Sequence, residues 1–270
     1  MKTDLPATIR PALARWAGAL LVCSLVGLGR AAPAFADEGS DLMATLSAAD
    51  PQRMVKSAPK VTAAQVQRAL AGEKVKGIEI VDGEPAAKGY GLSVVNLPIE
   101  KLWAAVVDAD HHAGTMPLAA SKKVQGKRCA HNHVIFQYID LPVIDDRWWV
   151  TRIKFNSALY TATGGKVWEL GFQDEHKNQA LLDAVDPALK GDGVAIAWTK
   201  GSWTMVALSP TRTFVQYYVW SDPGGSIPAG PASRFSAGAV EDTLKAVETV
   251  AKAGKSTCGG AGQRPDGSPL

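Results

Sequence analysis

Residues 201–228 read GSWTMVALSPTRTFVQYYVWSDPGGSIP, and this stretch decides the fold. Two runs rich in β-branched and aromatic residues flank Ser209-Pro210, a turn in which proline removes no sheet hydrogen bond. The sequence Asp-Pro-Gly-Gly, which begins at Asp222, then ends the second run. The stretch therefore predicts a long antiparallel hairpin that stops sharply before a change of secondary structure.

A long helix is predicted directly after this hairpin. Beyond Pro228 the apolar spacing changes from two residues to about 3.6, with Leu244, Val247 and Ala251 on one face. Gly254 ends the pattern. The first half of residues 228–253 is rich in Ala, Gly and Ser, which fill little volume against a sheet. We therefore expect the helix to lie across a sheet and to enclose a cavity.

The upstream sequence supplies the rest of that sheet. A short helix stopped by Gly72 is followed by a first strand pair around Asp82-Gly83, and a second helix begins at Pro98. Strands grouped together with segregated helices indicate an α+β fold with an antiparallel sheet. Strand patterns occupy residues 74–81, 90–97, 122–129, 134–141, 147–155, 167–172, 194–208 and 212–221, and residues 178–185 form a further short strand or an irregular edge.

The first residues have the organisation of an export signal. Lys2, Arg10 and Arg15 precede an apolar run over residues 17–29, and Ala34-Phe35-Ala36 provides a small-residue cleavage site. The run is shorter than the ~20 residues that span a bilayer. We predict a signal peptide over residues 1–36, cleavage after Ala36, and a periplasmic or secreted mature protein. The predicted domains are a linker or irregular lead-in (37–60), one ligand-binding domain (61–254) and a disordered tail (255–270).

Charge and cysteine content limit the partners. Without residues 1–36 the chain carries 25 basic and 25 acidic residues, so it has no electrostatic footprint for nucleic acid. Cys129 and Cys258 remain, and their spacing is compatible with either a disulfide or two independent thiols.

Three stretches together resemble the START lipid-transfer domains of the helix-grip superfamily. They are YGLSVVNLPIEKLWAAVVDADHHAGTMP (90–117), IDLPVIDDRWWVTR (139–152) and the opening stretch. The resemblance implies a curved antiparallel sheet wrapped around a long C-terminal helix, an internal hydrophobic cavity for a lipid or sterol-like ligand, and neither cofactor, metal nor catalytic residues. Arg147 falls on the family's arginine, but Trp148 stands where an acidic residue is usual. The family's arginine–acid pair therefore does not carry over directly.

Strand alternation then selects candidate cavity residues. Any one of these aromatic side chains fits equally well in a filled core, but seven tryptophans in the mature chain favour ligand contact for the set. We predict the hinge of the last helix at Asp222, Gly224, Gly225 and Pro228. The predicted ligand-binding residues are Met116, Phe136, Tyr138, Arg147, Trp149, Ile153, Trp203, Met205 and Tyr218, together with His112 in a loop at the cavity mouth.

His111-His112 and His131-Asn132-His133 invite a metal site, but the sequence offers no third ligand at suitable spacing. We therefore predict a solvated turn for His131 and His133 and a loop at the cavity mouth for His111 and His112.

Three functions fit the sequence. The leading hypothesis is a monomeric carrier of a hydrophobic molecule that contacts membranes transiently. The alternatives are a cyclase or hydrolase-like enzyme, with Arg147, Tyr138 and His112 as candidate acid and base groups, and an envelope interaction protein with a filled cavity.

Overall fold

The computed structural model describes residues 32–84, 86–141, 144–224 and 229–270, and for residues 32–36 and 229–237 it describes the backbone alone. Seven α-helices and nine strands occur in this described part. In chain order they are α1 (Ala32–Ala49), α2 (Ala63–Leu70), β1 (Val75–Glu79), β2 (Lys88–Val95), α3 (Ile99–Val107), β3 (Ala120–Gln125), β4 (His133–Ile139), β5 (Arg147–Phe155), α4 (Ser157–Ala162), β6 (Val167–Asp174), α5 (Gln179–Asp183), α6 (Pro187–Lys190), β7 (Val194–Ala195), β8 (Trp198–Ser209), β9 (Arg212–Asp222) and α7 (Ala229–Ala253), with 3₁₀ turns at Asp50–Gln52 and Ala109–His111.

All nine strands form a single curved sheet, which confirms the predicted α+β helix-grip architecture. The strand order is β1-β2-β9-β8-β6-β5-β4-β3, and every neighbouring pair in this order is antiparallel. The short strand β7 lies off this path and pairs parallel with the start of β5. Because β9 pairs with β2, the last strand of the chain lies beside the second strand in the sheet.

The predicted hairpin is the longest pairing in the sheet. Strands β8 and β9 stay paired from Trp198 opposite Asp222 to Ser209 opposite Arg212. A bulge between Ala207 and Ser209 shifts the register by one residue. This shift decides which side chains of β9 face the concave side of the sheet.

Helix α7 packs across the concave side of the sheet and against α3. Val240, Leu244 and Val247 are buried in the main core. Gly91 of β2 lies directly beneath them, and a Cβ atom at this position would come within 2.6 Å of side-chain atoms of Val240 and Leu244. The absence of a side chain at position 91 therefore allows the helix to approach the sheet closely.

The convex side of the sheet is covered as well. Helices α1 and α2 pack on this side against Val206 and Phe214. The segment that follows α1 is anchored to the sheet by one buried ion pair. Arg53 Nε lies 3.4 Å from Oε1 of Glu169, a fully buried residue. Glu169 also accepts hydrogen bonds from the Met54 amide (2.7 Å) and from Asn156 Nδ2 (2.6 Å). The prediction of an irregular lead-in over residues 37–60 is thus wrong, since its first half is helical and its second half is anchored.

The chain beyond α7 is ordered, which corrects the predicted disordered tail. Cys258 is buried and forms a disulfide with Cys129, with a Cα–Cα distance of 5.5 Å. Farther along, the carbonyl of Gln263 accepts a hydrogen bond from Trp103 Nε1 (2.9 Å). The tail composition resembles that of a disordered segment, but one covalent bond and specific backbone contacts fix it against α3.

One further difference concerns local structure. Residues 178–185 do not form a strand, because Asn178 caps the helix α5 through its side chain.

Of the predicted leader, residues 1–31 lie outside the described residues, so the signal peptide and cleavage after Ala36 stay predictions. Within the described part of the chain, no helix is both long enough and apolar enough to cross a membrane.

Replacing Arg53 by methionine should destabilise the protein by about 3 kcal/mol, because it leaves the Glu169 carboxylate buried without its counter-charge. Urea unfolding measures the difference. Arg68→Met is the matched control, since Arg68 pairs with Glu73 on the surface, where ion pairs contribute little. Equal losses in the two variants would contradict the assignment of Arg53 as a structural anchor.

Candidate ligand cavity

A cavity of about 640 Å³ lies inside the fold. The concave faces of β4, β5, β8 and β9 form one wall, and the end of α3 with the loop that follows it forms another. Ala239, Val240 and Thr243 of α7 complete the enclosure. Apolar ligand sites in proteins commonly span roughly 300–1,000 Å³, so the volume is that of a small-molecule site.

The lining is predominantly apolar. Among the described residues that form it there is no aspartate, glutamate or lysine. Some of the polar groups present are already paired with each other or with the backbone. Gln137 Oε1 accepts a hydrogen bond from Trp149 Nε1 at 2.9 Å, and the hydroxyls of Thr199 and Ser221 are hydrogen-bonded together.

The structure places six of the ten predicted ligand-binding residues on the cavity wall. Alternation along β5 sends one face of that strand inward, as the sequence predicted. Their contact with a ligand stays a prediction. The six are His112, Met116, Arg147, Trp149, Ile153 and Trp203.

Phe136 and Tyr138 are corrections, because they lie on the opposite face of β4. The pairing of Gln137 with Trp149 makes the odd-numbered residues of β4 face inward with Trp149. Phe136 instead packs with Leu181 and Val185 on the outer side. Tyr138 donates a hydrogen bond to Asp146 (2.7 Å), and this bond is the main reason that the pKa of Tyr138 rises to about 12.

Tyr218 and Met205 are corrections of different kinds. A regular two-residue hairpin would place Tyr218 opposite Trp203, but the bulge places Tyr217 there, stacked on Trp203 with ring centroids 4.4 Å apart. Tyr218 therefore points outward and donates to Ser57 (3.0 Å). Met205 does face the concave side, but it is fully buried in the core beneath the cavity rather than on the cavity wall.

Sequence reasoning missed several wall residues. His133, Ile135 and Gln137 follow from the true face of β4, and Tyr217 follows from the shifted register of the hairpin. In both cases the register of the partner strand decides the face. Gln137 lies opposite Trp149, and Tyr217 lies opposite Trp203 only because of the bulge after Ala207.

Arg147 is held by backbone carbonyls. It is 4% exposed, and no carboxylate in the described part of the chain lies within ion-pair distance of it. Its guanidinium instead donates to backbone carbonyls, from Nε to Pro223 O (2.8 Å) and from Nη1 to Asp146 O (3.2 Å) and Asp145 O. Arg147 therefore ties the start of β5 to the segment that leads into α7.

The described part of the predicted hinge has a defined turn. Asp222 Oδ1 accepts a hydrogen bond from the Gly224 amide (2.9 Å), and Gly224 has φ +67°, a conformation that favours glycine. Gly225 and Pro228 lie outside the described residues, so their hinge role stays a prediction.

Two histidines lie on the cavity wall, and both are buried. His112 follows the 3₁₀ turn after α3, and His133 begins β4. Burial lowers the pKa of His112 to about 4 and lowers the pKa of His133 as well, so both rings are neutral at pH 7. The predicted solvated turn is therefore wrong for His133, although His131 is exposed.

The histidines do not converge on a metal. His131 Nδ1 accepts a hydrogen bond from the Phe155 amide (2.9 Å), and His133 Nδ1 lies 2.6 Å from the carbonyl of Ala130. In the described part of the chain, the single group of three potential metal ligands contains Asp108 with Cys129 and Cys258. The disulfide consumes both of these thiols.

Comparison with known proteins supports the fold. No protein-family profile matches the sequence, and no curated protein matches it. Among solved structures, a STAR-related lipid transfer protein from Xanthomonas axonopodis superposes with a TM-score of 0.54 at 20% identity, over 67% of this chain and 98% of the other. Human StAR-related lipid transfer protein 5 gives a TM-score of 0.52 at 13% identity, over 81% of this chain and 99% of the other. The chain thus has the helix-grip fold of the START domains.

The buried histidine makes stability depend on pH. Because the pKa of His112 is lower in the folded state than in the unfolded chain, the folded state binds fewer protons between about pH 6.5 and pH 4. The contribution of the neutral His112 ring to the free energy of unfolding is therefore fully present above this pH range and is lost as the pH falls through it. Between pH 7 and pH 4.5 we expect a loss of roughly 2–3 kcal/mol from His112, measured by urea unfolding.

His112→Phe should remove that part of the loss, because phenylalanine cannot be protonated. His176→Phe changes a partly exposed histidine that is paired with Asp174 and leaves His112 in place, so it should keep the part of the loss that comes from His112. A His112→Phe variant that lost as much stability as the wild type over this range would show that the ring is not buried.

Proposed function

We propose that this protein is a non-enzymatic carrier that binds a lipid or sterol-like molecule in the internal cavity. The observation that carries the proposal is a cavity of about 640 Å³ whose described lining is predominantly apolar and holds no carboxylate or lysine. An apolar site with few polar groups suits a hydrophobic ligand. Both solved structures named above are of lipid transfer proteins, which supports the same ligand class here.

Catalysis by the groups that the sequence suggested receives little support. Tyr138 lies on the convex side, away from the cavity. His112 lies in the cavity, but burial lowers its pKa to about 4, which makes it a weak base at neutral pH. Arg147 is committed to backbone carbonyls. A cyclase or hydrolase-like reaction would therefore lack a suitable acid–base pair among these three residues.

The proposal includes export. The leader pattern at residues 1–36 suggests a periplasmic or secreted protein, and a disulfide between Cys129 and Cys258 suits an oxidising compartment. A hydrophobic ligand outside the cytoplasm needs a protein cavity that shields it from water while it moves between membranes. Ile144, a large apolar residue that is exposed and also lines the cavity, would meet a membrane when the monomer collects or delivers its ligand.

Two neighbouring tryptophans on β5 provide a matched test. Trp149 lines the cavity, whereas Trp148 lies on the other face of the strand, where its Nε1 donates to the carbonyl of Gly193 (2.9 Å). Trp149→Ala should weaken binding of the uncharged fluorophore N-phenyl-1-naphthylamine about tenfold or more, because it removes apolar contact area. Trp148→Ala should change the affinity much less.

Fluorescence titration gives both affinities, and Trp203→Ala should behave like Trp149→Ala because Trp203 lines the cavity too. Equal affinity in the wild type, Trp149→Ala and Trp203→Ala would place the bound fluorophore elsewhere and contradict the proposal.

A further inference from the structure

One tyrosine hydroxyl in the cavity has no partner in the protein. Tyr217 lines the cavity, and its hydroxyl makes no hydrogen bond in the described part of the chain. The described side-chain atoms that are both inaccessible and unpaired belong to other residues, so the Tyr217 hydroxyl keeps accessible surface. Buried tyrosine hydroxyls usually find a hydrogen-bond partner, so an open one calls for a specific explanation.

The accessible surface of this hydroxyl lies inside the molecule. Tyr217 pairs with Trp203 of β8 on one side and with Gly91 of β2 on the other. Helix α7 packs over Gly91 through Val240 and Leu244 and so covers this part of the sheet. Burial alone raises the pKa of Tyr217 well above its usual range. A hydroxyl that is accessible and yet shielded from bulk water faces the cavity, where a ligand can reach it.

A second unpaired donor belongs to the neighbouring ring. Trp203 stacks on Tyr217 with ring centroids 4.4 Å apart, and its Nε1 donates to no group in the described part of the chain. This nitrogen is not among the inaccessible unpaired atoms either, so it keeps accessible surface as well. An indole N–H can only donate, and a phenol hydroxyl is able to donate. The two side chains therefore suit an acceptor atom of a ligand.

These donors lie at the inner end of the cavity, far from its charged end. Tyr217 and Pro223 both line the wall and are six residues apart along β9 and its extension, which corresponds to about 20 Å. Pro223 accepts a hydrogen bond from Arg147, and Ile144, three residues before Arg147, is exposed.

The charge of the wall decides what kind of acceptor fits the inner end. Arg147 carries the one positive charge of the described lining at pH 7, because burial keeps His112 and His133 neutral. An ionised carboxylate or phosphate beside Tyr217 would be buried without a counter-charge, which is costly. The missing partner of Tyr217 is therefore an uncharged acceptor.

We infer that the hydrophobic ligand carries an uncharged acceptor oxygen, such as a ketone carbonyl, at the end that enters the cavity first. Tyr217 donates a hydrogen bond to this oxygen, and Trp203 is the second donor at the same end. This inference rests on the proposed function, since it names a chemical group of the molecule that the cavity holds. It separates carbonyl compounds from hydrocarbons and from amphiphiles whose one polar group stays at the mouth.

The test uses ligands that differ in the carbonyl alone. One pair is 2-tridecanone and tridecane, and the other is 5α-cholestan-3-one and 5α-cholestane. Each ligand is supplied from methyl-β-cyclodextrin, and displacement of N-phenyl-1-naphthylamine gives its affinity. Comparing the wild type with a variant on the same ligand cancels differences in aqueous solubility.

Tyr217→Phe should weaken binding of the ketone about tenfold in at least one pair, the ratio that one net hydrogen bond of ordinary strength provides. The affinity of this variant for the matching hydrocarbon should equal that of the wild type. Because the hydroxyl bonds to no described protein group, the variant should keep the fold. Tyr218→Phe is the matched control, since it removes the neighbouring hydroxyl, which bonds to Ser57 on the convex side, and it should bind the ketone as the wild type does.

Infrared spectroscopy of a ketone labelled with ¹³C at the carbonyl gives a second readout that does not depend on affinity. A carbonyl that accepts a hydrogen bond absorbs at a lower wavenumber than the same carbonyl in hexane. The band of the bound ketone should lie below the hexane value in the wild type and in Tyr218→Phe. It should move up towards the hexane value in Tyr217→Phe.

Three results would contradict the inference. If Tyr217→Phe weakened the binding of ketone and hydrocarbon equally, or of neither, the carbonyl inference would be overturned and the proposed carrier function would stand. A wild-type carbonyl band at the hexane value would have the same meaning. A protein that bound neither these ligands nor the fluorophore would overturn the proposed function together with the inference.

Discussion

The structure depends on the close contact between helix α7 and strand β2 at Gly91. A Cβ atom at this position would lie within 2.6 Å of Val240 and Leu244, so glycine sets the distance between the helix and the sheet. Leu244, Val247, Val250 and Ala251 belong to the core, and Ala239 and Thr243 face the cavity. Val240 lies between them, since it is buried in the core and also lines the cavity. One helix therefore closes the fold with its second half and encloses the ligand space with residues nearer its start.

The chain is anchored to the rest of the fold both before and after α7. At its end, the disulfide between Cys258 and Cys129 and the bond from Trp103 to the Gln263 carbonyl hold the chain against α3. Before its start, Arg147 holds Pro223 through a backbone carbonyl. The covalent attachment is at the far end of α7, whereas Asp222 and Gly224, where the hinge is predicted, precede its start.

The parts of the fold that depend on local pattern could be predicted from sequence. The β8–β9 hairpin, the helix after it and the inward face of β5 follow from residue spacing alone. The face of β4 could not be obtained in this way, because α5 covers its outer side and makes Phe136 as apolar a position as Ile135. The assignment of Tyr217 over Tyr218 needed the bulge after Ala207, a backbone feature that residue types do not reveal. The ordered tail depends on a long-range disulfide, which spacing left open.

The central claim is that the cavity holds a hydrophobic molecule. Mass spectrometry of the organic extract of the purified protein tests it most directly, because a carrier that holds its ligand in an apolar cavity inside the fold should retain that ligand through purification. We expect one class of hydrophobic compound in near-stoichiometric amount. An extract without such a compound, from protein that also takes up none after incubation with lipid vesicles, would contradict the claim.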